Sequence, residues 1–138
     1  MTICVAYGST PEGVAALALA VRESRLRGAP LVAVATAKQE RFPSDRDGDE
    51  RALREEIAAR LAELRGPGDP EVQVRLVDDG GDAAEAILDL AVAADAELLV
   101  LGLKRRSPVG KLITGSTAQR IILDSPIPVL ITHAARTA

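Results

Sequence analysis

Aromatic rings are nearly missing from this chain, which has one Phe, one Tyr and no Trp among 138 residues. With so few faces for bases to stack on, a single-stranded nucleic-acid platform is not expected. Cysteine is almost absent too: the lone Cys4 excludes an intramolecular disulfide framework and a multi-cysteine metal site, and suits a reduced compartment. Nor is there a basic excess. The 17 Lys and Arg are outnumbered by 20 Asp and Glu, for a net charge of −3, so the basic face that binds duplex DNA or an anionic membrane is not expected either. No apolar run reaches the ~18 residues that a membrane span needs. The chain opens directly on a strand pattern, "MTICVAY", with no basic and apolar leader segments. A soluble cytoplasmic protein with one domain over residues 1–138 is the expectation, because this length supports a single core.

What is abundant is aliphatic: 47% of the chain is hydrophobic, mostly Ala, Val, Leu and Ile. Short β-branched runs alternate with longer stretches of helical period. The strands are expected at "TICVAY" (2–7), "PLVAVAT" (30–36), "EVQVRLV" (71–77), "ELLVLG" (97–102) and "IPVLIT" (127–132). Between the first two, Thr10 and Pro11 read as the cap and first residue of a helix carrying Val14, Leu17 and Val21 on one face and ending at Gly28. "AKQERFPSDRDGDE" (37–50) is polar, contains Pro43 and Gly48, and reads as a mobile loop before a helix with Leu53, Ile57, Leu61 and Leu64 on its apolar face. Asp82 with Glu85, and Ser116 with Gln119, have capping-box spacing and mark the starts of two more helices. The strict alternation of the third strand suits a sheet edge, and the nearly all-apolar fourth suits the centre. Helix-length connectors imply parallel pairing through right-handed crossovers, hence an open doubly wound parallel five-stranded α/β sheet.

In such a sheet ligands sit beyond the carboxyl ends of the strands, where the strand order reverses. The walls are then "YGST", "TAKQ" and "GLKRR", after strands one, two and four. The last of these opens "GLKRRSPVGKLITGST" (102–117), which looks at first like a phosphate loop around Gly110-Lys111. A Walker A loop needs glycine five positions before that Gly and a hydroxyl residue after the Lys. Arg105 and Leu112 stand there instead, so that reading is rejected. Gly115-Ser116, at the start of the last helix, is the better anion site because free N–H groups and the positive dipole end meet there. Lys104, Arg105, Arg106 and Lys111 supply cations in the same segment.

These residues carry a family resemblance. Over essentially its whole length the chain resembles a universal stress protein domain, whose C-terminal signature is Gly, two residues, Gly, nine residues and Gly-Ser/Thr. Gly102 matches the first glycine, Gly115 and Ser116 match the end, and Arg105 stands at the middle glycine. At the end of strand one, Gly8 is assigned to the place where nucleotide-binding members carry Asp before a Gly-Ser pair. The resemblance implies an adenine nucleotide alpha hydrolase-like architecture with flavodoxin-like layering. It also implies a binding and signalling role with ATP or AMP as ligand, Mg²⁺ accompanying ATP, and at most weak ATP hydrolysis. Gly102, Arg105, Gly115 and Ser116 would hold ribose and phosphates, with Gly8 and Thr36 lining the base. A homodimer through the last strand is implied as well. Two readings of Arg105 remain open: it fills the space a glycine leaves, or its fork of donors binds phosphate. A member without nucleotide that serves as a dimeric protein-interaction module is the alternative function.

No residue set reads as catalytic or metal-binding. His133 lies one residue past the last strand with no triad partner nearby and reads as a solvated tail residue. Cys4 reads as a small buried hydrophobe. Tyr7 ends strand one at the crevice, where stacking on a base and simple packing are both open.

Overall fold

The structure, a computed structural model, describes residues 1–37, 46–78, 80–104 and 115–134. Strands and helices alternate in the order β1 (Thr2–Ala6), α1 (Pro11–Arg27), β2 (Leu31–Ala37), α2 (Arg46–Leu64), β3 (Val72–Asp78), α3 (Ala83–Ala93), β4 (Ala96–Leu103), α4 (Ser116–Asp124) and β5 (Val129–His133). The strands form one parallel sheet in the order β3-β2-β1-β4-β5. The chain builds outward from β1 to β3, then returns to place β4 on the other side of β1. The strand order therefore reverses between β1 and β4.

Strand side chains alternate between two cores. Ile3, Val5, Leu31, Ala33, Leu98 and Val100 face α1 and α2, where Leu17, Ala20, Ile57 and Leu61 meet them. Cys4, Val32, Val34, Leu99 and Leu101 face the other layer, with Ile87 and Ala91 of α3 and Ile121 of α4. Burial on both faces explains the continuous apolar reading of β4. β3 lies at one edge with alternating half-buried and exposed residues.

Local signals fix the ends of α1. Thr10 accepts from the Gly13 N–H at 3.0 Å, Pro11 opens the helix, and Gly28 closes it in the left-handed region with φ 63°. Three expectations need correction. Ala37 closes β2 and α2 already begins at Arg46, so residue 37 and residues 46–50 of the expected loop 37–50 are strand and helix, while residues 38–45 lie outside the described residues. A Glu50–Arg54 ion pair at i,i+4 spacing supports these early turns, which carry too little apolar periodicity to announce a helix. Next, α4 is capped by Gly115 rather than Ser116: the Gly115 carbonyl takes the Gln119 N–H at 3.1 Å, which makes Ser116 the first helical residue. Finally, His133 belongs to β5, opposite Leu103.

Candidate functional site

Every βα connection in this topology turns at the carboxyl edge of the sheet, so α1, α3 and α4 start there. Two glycines let the elements close up around the switch point. A Cβ on Gly13 would lie 2.1 Å from the Gly8 carbonyl oxygen, and a Cβ on Gly102 would lie 2.0 Å from the Glu12 carbonyl oxygen. The first turn of α1 is therefore pressed onto the β1–α1 turn on one side and onto β4 on the other. Gly102 is needed by helix packing, whatever else its backbone does.

The expected site residues divide into three groups. Gly8 and Thr36 each lie two residues beyond the Ala6–Val34 pair, and Gly102 lies two beyond Val100, the partner of Val5. These three stand side by side along the carboxyl edge. Gly115 and Ser116 start α4. Arg105 lies outside the described residues, as do Arg106, Gly110 and Lys111.

The helix starts differ in how their N–H groups are satisfied. Thr10 caps α1, and Asp82 caps α3 through the Glu85 N–H at 3.1 Å. The other Asp82 oxygen pairs with Arg120 of α4, and this guanidinium, with the cap bond added, holds the carboxyl below its ordinary range. Arg120 thereby ties α4 to the start of α3. At α4, Gly115 provides no side-chain cap, and among the described residues nothing beyond its chain neighbours lies within 4 Å of where its Cβ would be. A helix start without a side-chain cap presents N–H groups and a positive dipole end that suit an anion.

At the far side of β1 the sequence reading missed a polar cluster. The residue before the Gly8-Ser9 pair is Tyr7, not Gly8, so Tyr7 occupies the place assigned to a carboxylate. Its N–H binds the Val34 carbonyl at 2.8 Å, and its side chain is only 6% exposed. The ring belongs to the core under α1 and α2, which settles the choice between stacking and packing. Its hydroxyl makes no hydrogen bond of good geometry, nor does the buried Nε of Arg60. Burial raises the phenol pKa; Arg60 beside it pulls the other way, and the charge of Glu56 adds to the rise. Ser9 donates to Glu56 at 2.7 Å, fastening the β1–α1 turn to α2. The i,i+4 spacing of Glu56 and Arg60 was readable, but not the turn it reaches. Gly13, an isolated glycine inside a helical pattern, was the one readable signal of close approach.

Among the described residues no group of three or more His, Cys, Asp or Glu could hold a metal ion. No helix among them is long and apolar enough to cross a membrane. A groove of about 380 Å³ lies at the opposite, amino end of the sheet, between β3 and the end of α3, away from the switch point.

Comparison with known proteins agrees with this architecture. The family model described as "Universal stress protein family" matches residues 1–133. A universal stress protein of Mycolicibacterium smegmatis is 39% identical over 131 residues, covering 93% of this chain and 94% of the relative. The structure of a universal stress protein from Archaeoglobus fulgidus superposes with a TM-score of 0.77 at 32% identity, covering 95% of this chain and 97% of the other. The structure of another universal stress protein from Archaeoglobus fulgidus, in complex with dAMP, superposes with a TM-score of 0.72 at 24% identity, covering 95% of this chain and 96% of the other. With the family model spanning nearly the whole chain and the fold matching throughout, the chain belongs to the universal stress protein family.

Proposed function

We propose that this chain is a small binding and signalling domain that takes an adenine nucleotide, ATP or AMP, at the carboxyl ends of β1 and β4. The observation that carries the reading is the start of α4: among the described residues no side chain caps it at Gly115, while Thr10 and Asp82 each take one N–H at the starts of α1 and α3. Phosphates bind there, Ser116 adds a hydroxyl, and Arg105 extends the anion site. Gly8 and Thr36 form the wall toward the base. Mg²⁺ arrives with ATP on the phosphate oxygens, and weak hydrolysis is the upper limit of any activity. The dAMP complex of the 24%-identical Archaeoglobus fulgidus protein supports the ligand class. The domain works as a homodimer through β5, an edge strand on which Ile131 is partly exposed.

A second reading, an interaction module without nucleotide, is favoured by Tyr7. A buried phenol stands where the resemblance expects a carboxylate to hold the nucleoside. Melting temperature with and without millimolar ATP-Mg²⁺ or AMP separates the two, because a ligand at 100 times its Kd stabilises the folded state by ~2.7 kcal/mol. No shift with either nucleotide would rule out the first reading. The variant Gly115→Asp sharpens the test by adding a cap and a negative charge at the proposed phosphate site: it should melt no lower than the parent and lose the nucleotide-dependent shift.

A further inference from the structure

The two edges of the sheet are built differently. The Leu31 N–H binds the Glu71 carbonyl at 2.8 Å, with Leu31 opposite Val72. Successive residues of a strand turn their peptide groups to opposite sides, so Glu71, Gln73 and Arg75 pair with β2, while Pro70, Val72, Val74 and Leu76 turn toward the open edge. Two of these outward carbonyls are already taken. Arg54 donates to Val74 at 2.9 Å and Arg65 donates to Pro70 at 2.7 Å. Arg54 is itself held by Glu50 at 3.2 and 3.3 Å, and Pro70 has no N–H to offer. An incoming strand would have to displace both guanidinium groups.

β5 lacks such caps. The Leu99 N–H binds the Pro128 carbonyl at 2.9 Å, so Val129 and Ile131 turn their peptide groups outward. Among the described residues no side chain donates to either, and the strand "VLITH" contains no Asp, Glu, Lys or Arg. Pairing two copies through β5 joins like with like, closes a two-fold dimer, and leaves one β3 edge at each end of the joined sheet. If those edges also paired, dimers would add to dimers without limit.

We infer that Arg54 and Arg65 are edge caps that keep a second copy of this chain from pairing along β3, so that assembly stops at the β5 dimer. The inference rests on the dimer reading above for its end point, but the caps themselves do not depend on it. The test is molar mass by light scattering on eluting protein, from micromolar to millimolar, for the parent, for Arg54→Ala/Arg65→Ala, and for that double variant carrying Val74→Pro. The parent should hold one mass throughout. The double variant should at least double its mass as concentration rises. Val74→Pro should reverse this, because the Val74 N–H faces outward and proline there blocks an incoming strand without removing a bond to β2. A folded double variant that keeps the parent mass overturns the inference, as does growth that persists with Val74→Pro. A parent that stays monomeric sinks the β5 dimer alone: the caps then stand if the double variant associates reversibly and Val74→Pro abolishes it.

Discussion

Replacing Gly102 with alanine places a methyl carbon 2.0 Å from the Glu12 carbonyl oxygen and 2.6 Å from its carbonyl carbon. Carbon contacts are ordinarily ~3.5–4.0 Å, so the first turn of α1 must retreat by roughly 1.5 Å. It has no room to do so, because the neighbouring Gly13 is already pressed on Gly8. The obstacle is backbone rather than a side chain that can rotate away. Overpacking typically costs about 1–3 kcal/mol, and here the upper end applies. For a chain of this size that is a fall in melting temperature of roughly 10 °C, read by circular dichroism without ligand. Gly115→Ala is the control: its φ of −59° suits any residue and, among the described residues, no atom beyond its chain neighbours lies within 4 Å of the new methyl, so its loss should stay below about 1 kcal/mol. Gly13→Ala combined with Gly102→Ala should cost less than the sum, since both displace the same turn. A Gly102→Ala protein melting within ~2 °C of the parent would show that α1 does not depend on this contact.

Tyr7→Phe keeps the packed ring and removes a hydroxyl that has no good partner, so the melting temperature should stay level or rise, and a clear fall would reveal a hydrogen bond at that oxygen. Asp69 takes two hydrogen bonds from Arg25, each 2.9 Å, and one from the Gly66 N–H at 2.8 Å; the guanidinium first, then the N–H, hold its carboxyl well below the usual range. A depressed carboxyl stabilises the fold above its unfolded pKa and ceases to do so as pH falls, so Asp69→Asn should lower stability at neutral pH and flatten the loss below about pH 4; parallel curves for parent and variant would refute this. The buried Cys4 thiol is pushed up to about 11 by desolvation, so it should resist a disulfide reagent at mildly alkaline pH until denaturant is added, and fast labelling of the folded protein would contradict its burial.

The alternation of strands and helices was legible because each element carries its own period, and the limits of α1 because Thr10, Pro11 and Gly28 are local signals. The start of α2 was not legible, since its first turns are polar and rest on pairs such as Glu50–Arg54. At α4 a hydroxyl residue with Gln119 in the third position imitates a cap one residue too late, while the backbone bond from Gly115 decides the start. The edge of the crevice was legible from topology, which brings Gly8, Thr36 and Gly102 into line. Pairings across the fold left no pattern: Glu12 against Gly102, Ser9 with Glu56, and Arg25 with Asp69 join elements distant in sequence. Gly102 shows the ambiguity best, since a glycine that meets a helix and one that meets a phosphate look alike in the sequence.

The central position of β1 constrains how the chain comes together as it is made. Its neighbours are β2 and β4, and Cys4 pairs with Leu99, so one flank of the first strand waits for a partner synthesised far downstream. Until then the nascent N-terminal half presents Ile3, Cys4 and Val5, all fully buried in the finished protein, as an open edge. Long-range parallel pairing is slow, and exposed strands of this kind are where aggregation starts. A ribosome stalled after β3 would therefore hold a three-stranded fragment with β1, buried in the finished protein, at its border.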